Sequence, residues 1–203
     1  MVAPPLCWAC GGPARRHEPL CLPCRGLLRR LSPASVQLSG ISAWAPVGYE
    51  GPARELVRAL KFRGAVALAD TMAAQIVANA PPGLLAGESV LVPVPLHPRR
   101  RRRRGFNQAQ VLAAALSGRT GLALSDCLER DGPSVTQVGR GRHERRAGPA
   151  GGMRLGASPA PPRAVLVDDV VTTGGTLRAC AAALQGAGCR EIAAVAFART
   201  LGR

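Results

Sequence analysis

Four cysteines open the chain in two pairs, Cys7-Trp8-Ala9-Cys10 and Cys21-Leu22-Pro23-Cys24, separated by ten residues. Two C-x2-C knuckles at that spacing let four thiolates surround one tetrahedral Zn²⁺, and a closed four-thiolate site is structural, not catalytic. Gly11 and Gly12 follow the first knuckle, where glycine permits a turn of positive φ that aims backbone N–H groups at sulfur. A segment of about 40 residues buries little core, so the metal would supply its folding free energy. The alternatives for these residues are two redox-active pairs or unpaired buried thiols. Cys127, Cys180 and Cys189 are scattered and read as small hydrophobes.

The second constellation runs Val165-Leu166-Val167-Asp168-Asp169-Val170-Val171-Thr172-Thr173-Gly174-Gly175-Thr176-Leu177. Gly174 and Gly175 let the backbone turn its N–H groups inward, Thr172, Thr173 and Thr176 add hydroxyl donors, and a helix N-terminus follows. Together these groups can cradle one phosphate monoester. Asp168 and Asp169 cannot face that phosphate favourably, so they serve sugar hydroxyls beside it, or Mg²⁺ through water. The missing Lys excludes a P-loop, and no G-x-G-x-x-G is present for a dinucleotide, which leaves a phosphorylated sugar as the ligand. A tight strand-to-helix turn with solvated acids is the plainer alternative.

The elements that must position these residues alternate. Ala43 to Tyr49 reads as a strand, Arg54 to Lys61 and Val66 to Ala78 as helices, and Ser89 to Pro95 as a short apolar strand ended by prolines. Asn107 with Gln110 resembles a capping-box variant that opens a helix carrying Val111, Leu112, Ala115 and Leu116. Ala164 to Val167 is a second buried strand. Leu177, Cys180, Ala181 and Leu184 recur at helical spacing, and Glu191 to Arg199 is a third strand. Buried strands separated by helices predict an α/β fold, a mostly parallel sheet covered on both faces that binds ligands at its strands' carboxyl ends. The Gly-, Arg- and Pro-rich stretch 131–162 reads as a flexible active-site loop or a surface excursion.

Among 203 residues, 47% are hydrophobic, and the net charge is +15. This composition excludes a disordered chain, and Leu31 to Tyr49, the longest uncharged stretch, is too interrupted for a membrane helix. The N-terminus lacks the basic and apolar regions of a secretory signal, so a cytoplasmic protein without membrane insertion is expected. All 27 basic residues but Lys61 are Arg, a bias that suggests a GC-rich genome and makes position more informative than total. The charge is concentrated around Arg15 to Arg30, in the unbroken run Arg99 to Arg104, and around Arg140 to Arg154. Such clusters suit a polyphosphate or a nucleic acid, although any one of them can be a solvated face. His17, His97 and His143 read as solvated or structural.

The stretch Val165 to Leu177 resembles the phosphoribosylpyrophosphate (PRPP) signature of type I phosphoribosyltransferases. Tyr49-x-Gly51, Leu60-Lys61-Phe62-Arg63-Gly64, Pro93-Val94-Pro95-Leu96 and Arg104-Gly105-Phe106-Asn107-Gln108, with the paired knuckles, narrow the resemblance to the competence protein ComF family. The resemblance implies a zinc ribbon over residues 1–42 and a phosphoribosyltransferase-like domain over 43–203. It also implies that Asp168 and Asp169 contact the ribose hydroxyls, and that Val170 to Thr176 hold the 5′-phosphate. Pro95, Leu96, His97, Arg104 and Gly105 would lie in the pyrophosphate loop. Mg²⁺ would accompany PRPP, and Arg104 is the arginine singled out for the leaving group. The sequence departs from the family's pattern at Gly148 and Gly152, where Asn and Phe are usual.

The activity so implied is pentosyl transfer to an unidentified acceptor, with competence, DNA uptake or DNA utilisation as its setting. A non-catalytic, PRPP-sensing module that binds single-stranded DNA is the alternative, with a competence helicase or uptake protein as a further partner. The chain has six aromatic residues, a small supply for stacking on bases, so backbone electrostatics would dominate DNA binding. A pure zinc-ribbon adaptor leaves the phosphate loop unexplained.

Overall fold

Two nine-residue strands, Arg163–Val171 and Glu191–Arg199, pair in parallel at the centre of the sheet. The computed structural model describes residues 5–16, 18–38, 40–130 and 152–201. In chain order the elements are α1 (Leu22–Gly26), β1 (Val36–Leu38), β2 (Ile41–Trp44), β3 (Val47–Gly48), α2 (Gly51–Phe62), α3 (Leu68–Asn79) and β4 (Val90–Pro93). There follow α4 (Pro98–Arg104), α5 (Gln108–Thr120), β5 (Leu128–Arg130), β6 (Met153–Leu155), β7 (Arg163–Val171), α6 (Gly175–Gly186) and β8 (Glu191–Arg199). The main sheet is ordered β1-β2-β8-β7-β4, with β3 also paired to β8. Every pairing in it is parallel except that of β1 with β2. This is the expected α/β architecture, and its strand carboxyl ends share one edge.

Both faces of the sheet are covered because alternate residues of β7 and β8 are apolar on both sides. Val165, Val167, Val195 and Phe197 pack with Leu56, Met72, Ile76, Leu112 and Leu116 of α2, α3 and α5. Ala164, Leu166, Ala194 and Ala196 face Leu177, Cys180, Ala181 and Leu184 of α6. Each fully buried Leu or Phe contributes about 2–3 kcal/mol of transfer free energy, so these two layers hold the strand ends in place. Among the described residues, no helix is long and apolar enough to cross a membrane.

Several local expectations change. Pro46 divides the strand expected over Ala43 to Tyr49: β2 ends at Trp44, and β3 resumes for two residues. The strand expected to stop at Val167 continues through the acidic pair to Val171. Part of the stretch 131–162 forms regular structure, since β6 pairs antiparallel with β5, while residues 131–151 lie outside the described residues. Asn107 does cap α5, its side chain accepting from Ala109 N–H at 3.1 Å. Gln110, however, turns away from that cap and donates to Asp126. The arginine run, where periodicity indicates no element, forms α4: Pro98 stands in its first turn, His97 Nδ1 accepts from Arg99 N–H, and Gly105 closes it at φ 85°.

Candidate functional site

The four N-terminal sulfurs lie within 4.8 Å of one another, and Cys10 Sγ is 3.7 Å from Cys21 Sγ. A Zn²⁺ with bonds of about 2.3 Å in a tetrahedron needs sulfur–sulfur edges of about 3.8 Å, so the donor set fits that ion. Gly11 takes φ 74°, and Gly12 N–H points at Cys10 Sγ from 3.4 Å, as the knuckle requires. At Cys7 burial opposes ionisation, but the backbone N–H groups of Cys21, Cys10 and Ala9 outweigh it and bring the thiol down to about 6. At Cys24 burial, reinforced by the neighbouring cysteines, pushes the thiol up. One thiolate is thus ready to receive a divalent cation, whose charge would release the other protons.

These cysteines are not held apart from the sheet. Cys7, Leu20 and Cys24 belong to the same buried cluster as Trp44, Leu56 and Phe197. The backbone adds Leu31 N–H to Pro46 O and Gly48 N–H to Arg29 O, both at 2.9 Å. Cys127, Cys180 and Cys189 are buried, as expected for apolar packing, and burial pushes the Cys180 thiol up to about 12.

β4 and β7 run side by side, with Pro93 opposite Val167 and Val94 N–H bonded to Val167 O at 2.9 Å. Asn107 Nδ2 donates to Val94 O at 3.1 Å, which ties the start of α5 to the end of β4. Beyond β7 the chain turns at Gly174, whose φ of 78° lies in the left-handed region, and enters α6. Its N-cap, Gly174, has no side chain with which to cap the helix. Its first N–H groups therefore face a concavity of about 50 Å³ lined by Asp168, Val170, Val171 and the loop Thr172 to Leu177. A helix N-terminus, a left-handed glycine and threonine hydroxyls around one small cup form an anion cradle.

The acidic pair is split across the strand. Asp168 is half-buried on the cup, and its carboxyl accepts from Asp169 N–H at 2.8 Å. Burial, then the charge of Asp169, raises the Asp168 carboxyl well above the ordinary aspartate value of 3.8. Asp169 is 1% exposed, and its Oδ2 lies 2.7 Å from Lys61 Nζ. Lys61 is a functional candidate to which the motif Leu60 to Gly64 assigned no role. Its signal is compositional: one lysine among 27 basic residues, at a buried carboxylate that takes a compact point charge.

A carboxyl with a raised folded value keeps a proton that the unfolded chain has lost, so its contribution to stability falls as pH rises above 3.8 and levels off above the raised value. Asp168→Asn is expected to remove that slope. Its urea midpoint, measured against the wild type, should move upward between pH 5 and pH 8, and a constant difference would show that Asp168 ionises normally.

The remaining predicted residues fall into two larger cavities on either side of α4. Pro95 and Leu96 line one of about 560 Å³, together with Arg101, Arg130 and Arg154. Arg104 lines the other, of about 600 Å³, with Lys61, Phe62, Arg100 and Arg103. Arg104 therefore lines a different cavity from Pro95 and Leu96. It donates to Gln108 and stacks 5.3 Å above the Phe62 ring, while burial lowers its pKa and the Asp169 charge opposes that shift. His97 and Gly105 serve as the caps of α4. His17, His143 and Gly148 lie outside the described residues, whereas Gly152 directly precedes β6.

Comparison with known proteins supplies the family. Residues 63–202 match the phosphoribosyl transferase domain. Competence protein F of Haemophilus influenzae is 35% identical over 113 residues, which cover 54% of this chain and 49% of that protein. DNA utilization protein YhgH of Salmonella typhimurium is 33% identical over 159 residues, 75% of this chain and 70% of the relative. The chain belongs to the competence protein ComF family. Within the phosphoribosyltransferase superfamily, this ComF chain spans about half the length of Competence protein F and more of the Salmonella relative. The matched domain begins after Phe62, so the cysteine cluster and Lys61 lie outside it.

Proposed function

We propose that this ComF protein binds PRPP with Mg²⁺ and transfers the phosphoribosyl group to an acceptor, releasing pyrophosphate, in the setting of competence or DNA utilisation that its relatives' names indicate. The observation that carries the proposal is the junction of β7 and α6, where the open helix N-terminus, left-handed Gly174 and Asp168 surround one cup. The 5′-phosphate accepts hydrogen bonds from the loop N–H groups and threonine hydroxyls, and the carboxylates accept from the ribose hydroxyls. Mg²⁺ would be held at the same end of β7 by Asp168 on the cup, since Asp169 Oδ2 is buried 2.7 Å from Lys61 Nζ. Burial and the charge of Asp169 raise the Asp168 carboxyl, and a cation bound beside it would favour the ionised form. When bound there, the metal neutralises charge on the leaving group.

The C1–O bond to pyrophosphate breaks with its electron pair leaving on pyrophosphate. The acceptor's lone pair forms the new bond to C1, and its proton passes to solvent. Arginines of α4 and Lys61 offset the leaving charge, so positioning and charge stabilisation supply most of the rate. A ligand present at about 100 times its Kd stabilises a fold by about 2.7 kcal/mol, or roughly 5–10 °C in Tm for a chain of this size. Thermal unfolding with PRPP and Mg²⁺ together should show that rise. An unchanged Tm at millimolar PRPP would count against the site.

A second reading, a PRPP-sensing module that binds single-stranded DNA, is favoured by α4, where Arg99 to Arg103 are all exposed. None of these five has an ion-pair partner among the described residues. Arg99 and Arg102 line neither cavity, so they can be changed without touching either. Replacing both with Gln should lower the salt slope of single-strand binding by about 1.4, or about 0.7 for each phosphate no longer neutralised. An unchanged slope would assign them to solvent.

A further inference from the structure

Three of the four most exposed large apolar side chains among the described residues stand beside the cysteine cluster: Leu22 is 70% exposed, Leu27 69% and Leu6 63%. One small unit carries them. Leu6 precedes Cys7 and Leu22 follows Cys21, and the four sulfurs lie within 4.8 Å of one another. From Leu22 to Leu27, which make up α1 and its C-cap, only Cys24 is buried, so this turn lies on the surface with both leucines open to solvent. Single apolar side chains on a surface need no explanation, but three beside one thiolate cage form a patch.

The same segment is cationic: residues 1–42 hold five arginines and one glutamate. Arg25 pairs with Glu18 and Arg29 with Glu50. Arg16 and Arg30 are exposed and have no ion-pair partner among the described residues. An occupant of this patch must therefore be acidic as well as apolar. A second copy of the chain does not qualify, because its charge is +15 and its dense charge clusters are arginine. A nucleic acid needs rings to stack on, and the segment's one Phe, Tyr or Trp, Trp8, is half-buried against the core. The backbone of the turn is internally bonded, with Arg25 N–H to Cys21 O and Leu27 N–H to Pro23 O, so it offers no strand edge. The partner must satisfy its own backbone, as a helix does.

We infer that the α1 face of the cysteine ribbon is a docking surface for an acidic amphipathic helix of another protein. The apolar stripe of that helix covers Leu22 and Leu27, with Leu6 at the margin, and its carboxylates meet Arg16 and Arg30. None of these five residues lines the phosphate cup or either cavity flanking α4, so docking leaves PRPP binding unchanged.

The test is a calorimetric titration of the full, zinc-loaded chain with three synthetic peptides of about 18 residues, long enough to be helical in water. The first has Leu at i, i+3, i+4 and i+7 spacing and Glu elsewhere, the second has the same composition with the stripe scrambled, and the third has Lys for Glu. The scrambled peptide measures what charge alone gives, including at α4. The first should bind at least about tenfold more tightly than either of the others, since only it can bury both leucines. Leu22→Ser with Leu27→Ser should weaken it by about tenfold or more, and Leu27→Ser alone, outside the C-x2-C knuckles, should also weaken it. Arg16→Gln with Arg30→Gln should weaken it and reduce its salt dependence. Zinc content and circular dichroism confirm that each variant is folded.

Equal binding of the striped and scrambled acidic peptides, no binding of the striped one, or indifference to Leu27→Ser in folded protein would each overturn the inference. Oligo(dT) titrated in parallel should be indifferent to the leucine variants. Loss of its binding in them, with the acidic helix unaffected, would give the face to nucleic acid instead.

Discussion

Cys24→Ser is expected to release the metal and to lower the stability of the whole fold by at least about 3 kcal/mol, not merely to fray the first 40 residues. Cys24 is buried in the cluster that also holds Trp44, Leu56 and Phe197, so loss of the thiolate cage opens the face of the sheet covered by α2 and α3. An independent ribbon would behave differently, because its loss would leave β2 and α2 packed as before. Zinc content by mass spectrometry together with urea unfolding followed through the tryptophans separates the two cases. Full metal loss with an unchanged main transition would show that the ribbon folds apart from the sheet, and retained zinc would refute the four-thiolate site.

Gly174→Val is expected to weaken PRPP binding by about 100-fold while lowering stability by only about 1–2 kcal/mol. The residue sits at φ 78°, where a β-branched side chain is strained, and it fixes the direction of the N–H groups that open α6. Losing two or three charge-assisted hydrogen bonds to a phosphate accounts for the affinity change. The control is Gly186→Ala at the far end of the same helix, where nothing lies within 4 Å of an added Cβ and φ is not left-handed. It should bind PRPP as the wild type does. PRPP titration of the two variants decides the matter, and equal affinities would remove the loop from phosphate binding.

Period and punctuation carried most of the fold. The apolar runs at Ala164 and Glu191 and the helical spacing from Leu177 to Leu184 identified β7, β8 and α6, because each is buried in the way its own pattern requires. Elements stabilised by their neighbours were less visible. β3 is two residues long and exists through its pairing with β8, and β6 depends on β5, from which it is separated by the stretch 131–152. α4 has no apolar face, so hydrophobic periodicity is silent about it, and its ends are set by Pro98 and Gly105.

The site divided in the same way. The cysteine cluster and the phosphate cup are local in sequence, and spacing alone brought their residues together. The pairing of Lys61 with Asp169 joins residues far apart in the chain, and the separation of Arg104 from Pro95 and Leu96 depends on which face of α4 each arginine occupies. Neither could be read without the helix phase and the strand order.

Calorimetric titration of the zinc-loaded protein with PRPP, with and without Mg²⁺ and against ribose 5-phosphate, tests the central claim most directly. The cup beneath α6 predicts that PRPP binds with Mg²⁺ and markedly less without it. Ribose 5-phosphate should bind more weakly, because it offers the 5′-phosphate and hydroxyls but no pyrophosphate for Lys61 and the α4 arginines. Absence of PRPP binding by folded, zinc-loaded protein would contradict the claim, and so would equal affinity for ribose 5-phosphate with no response to Mg²⁺.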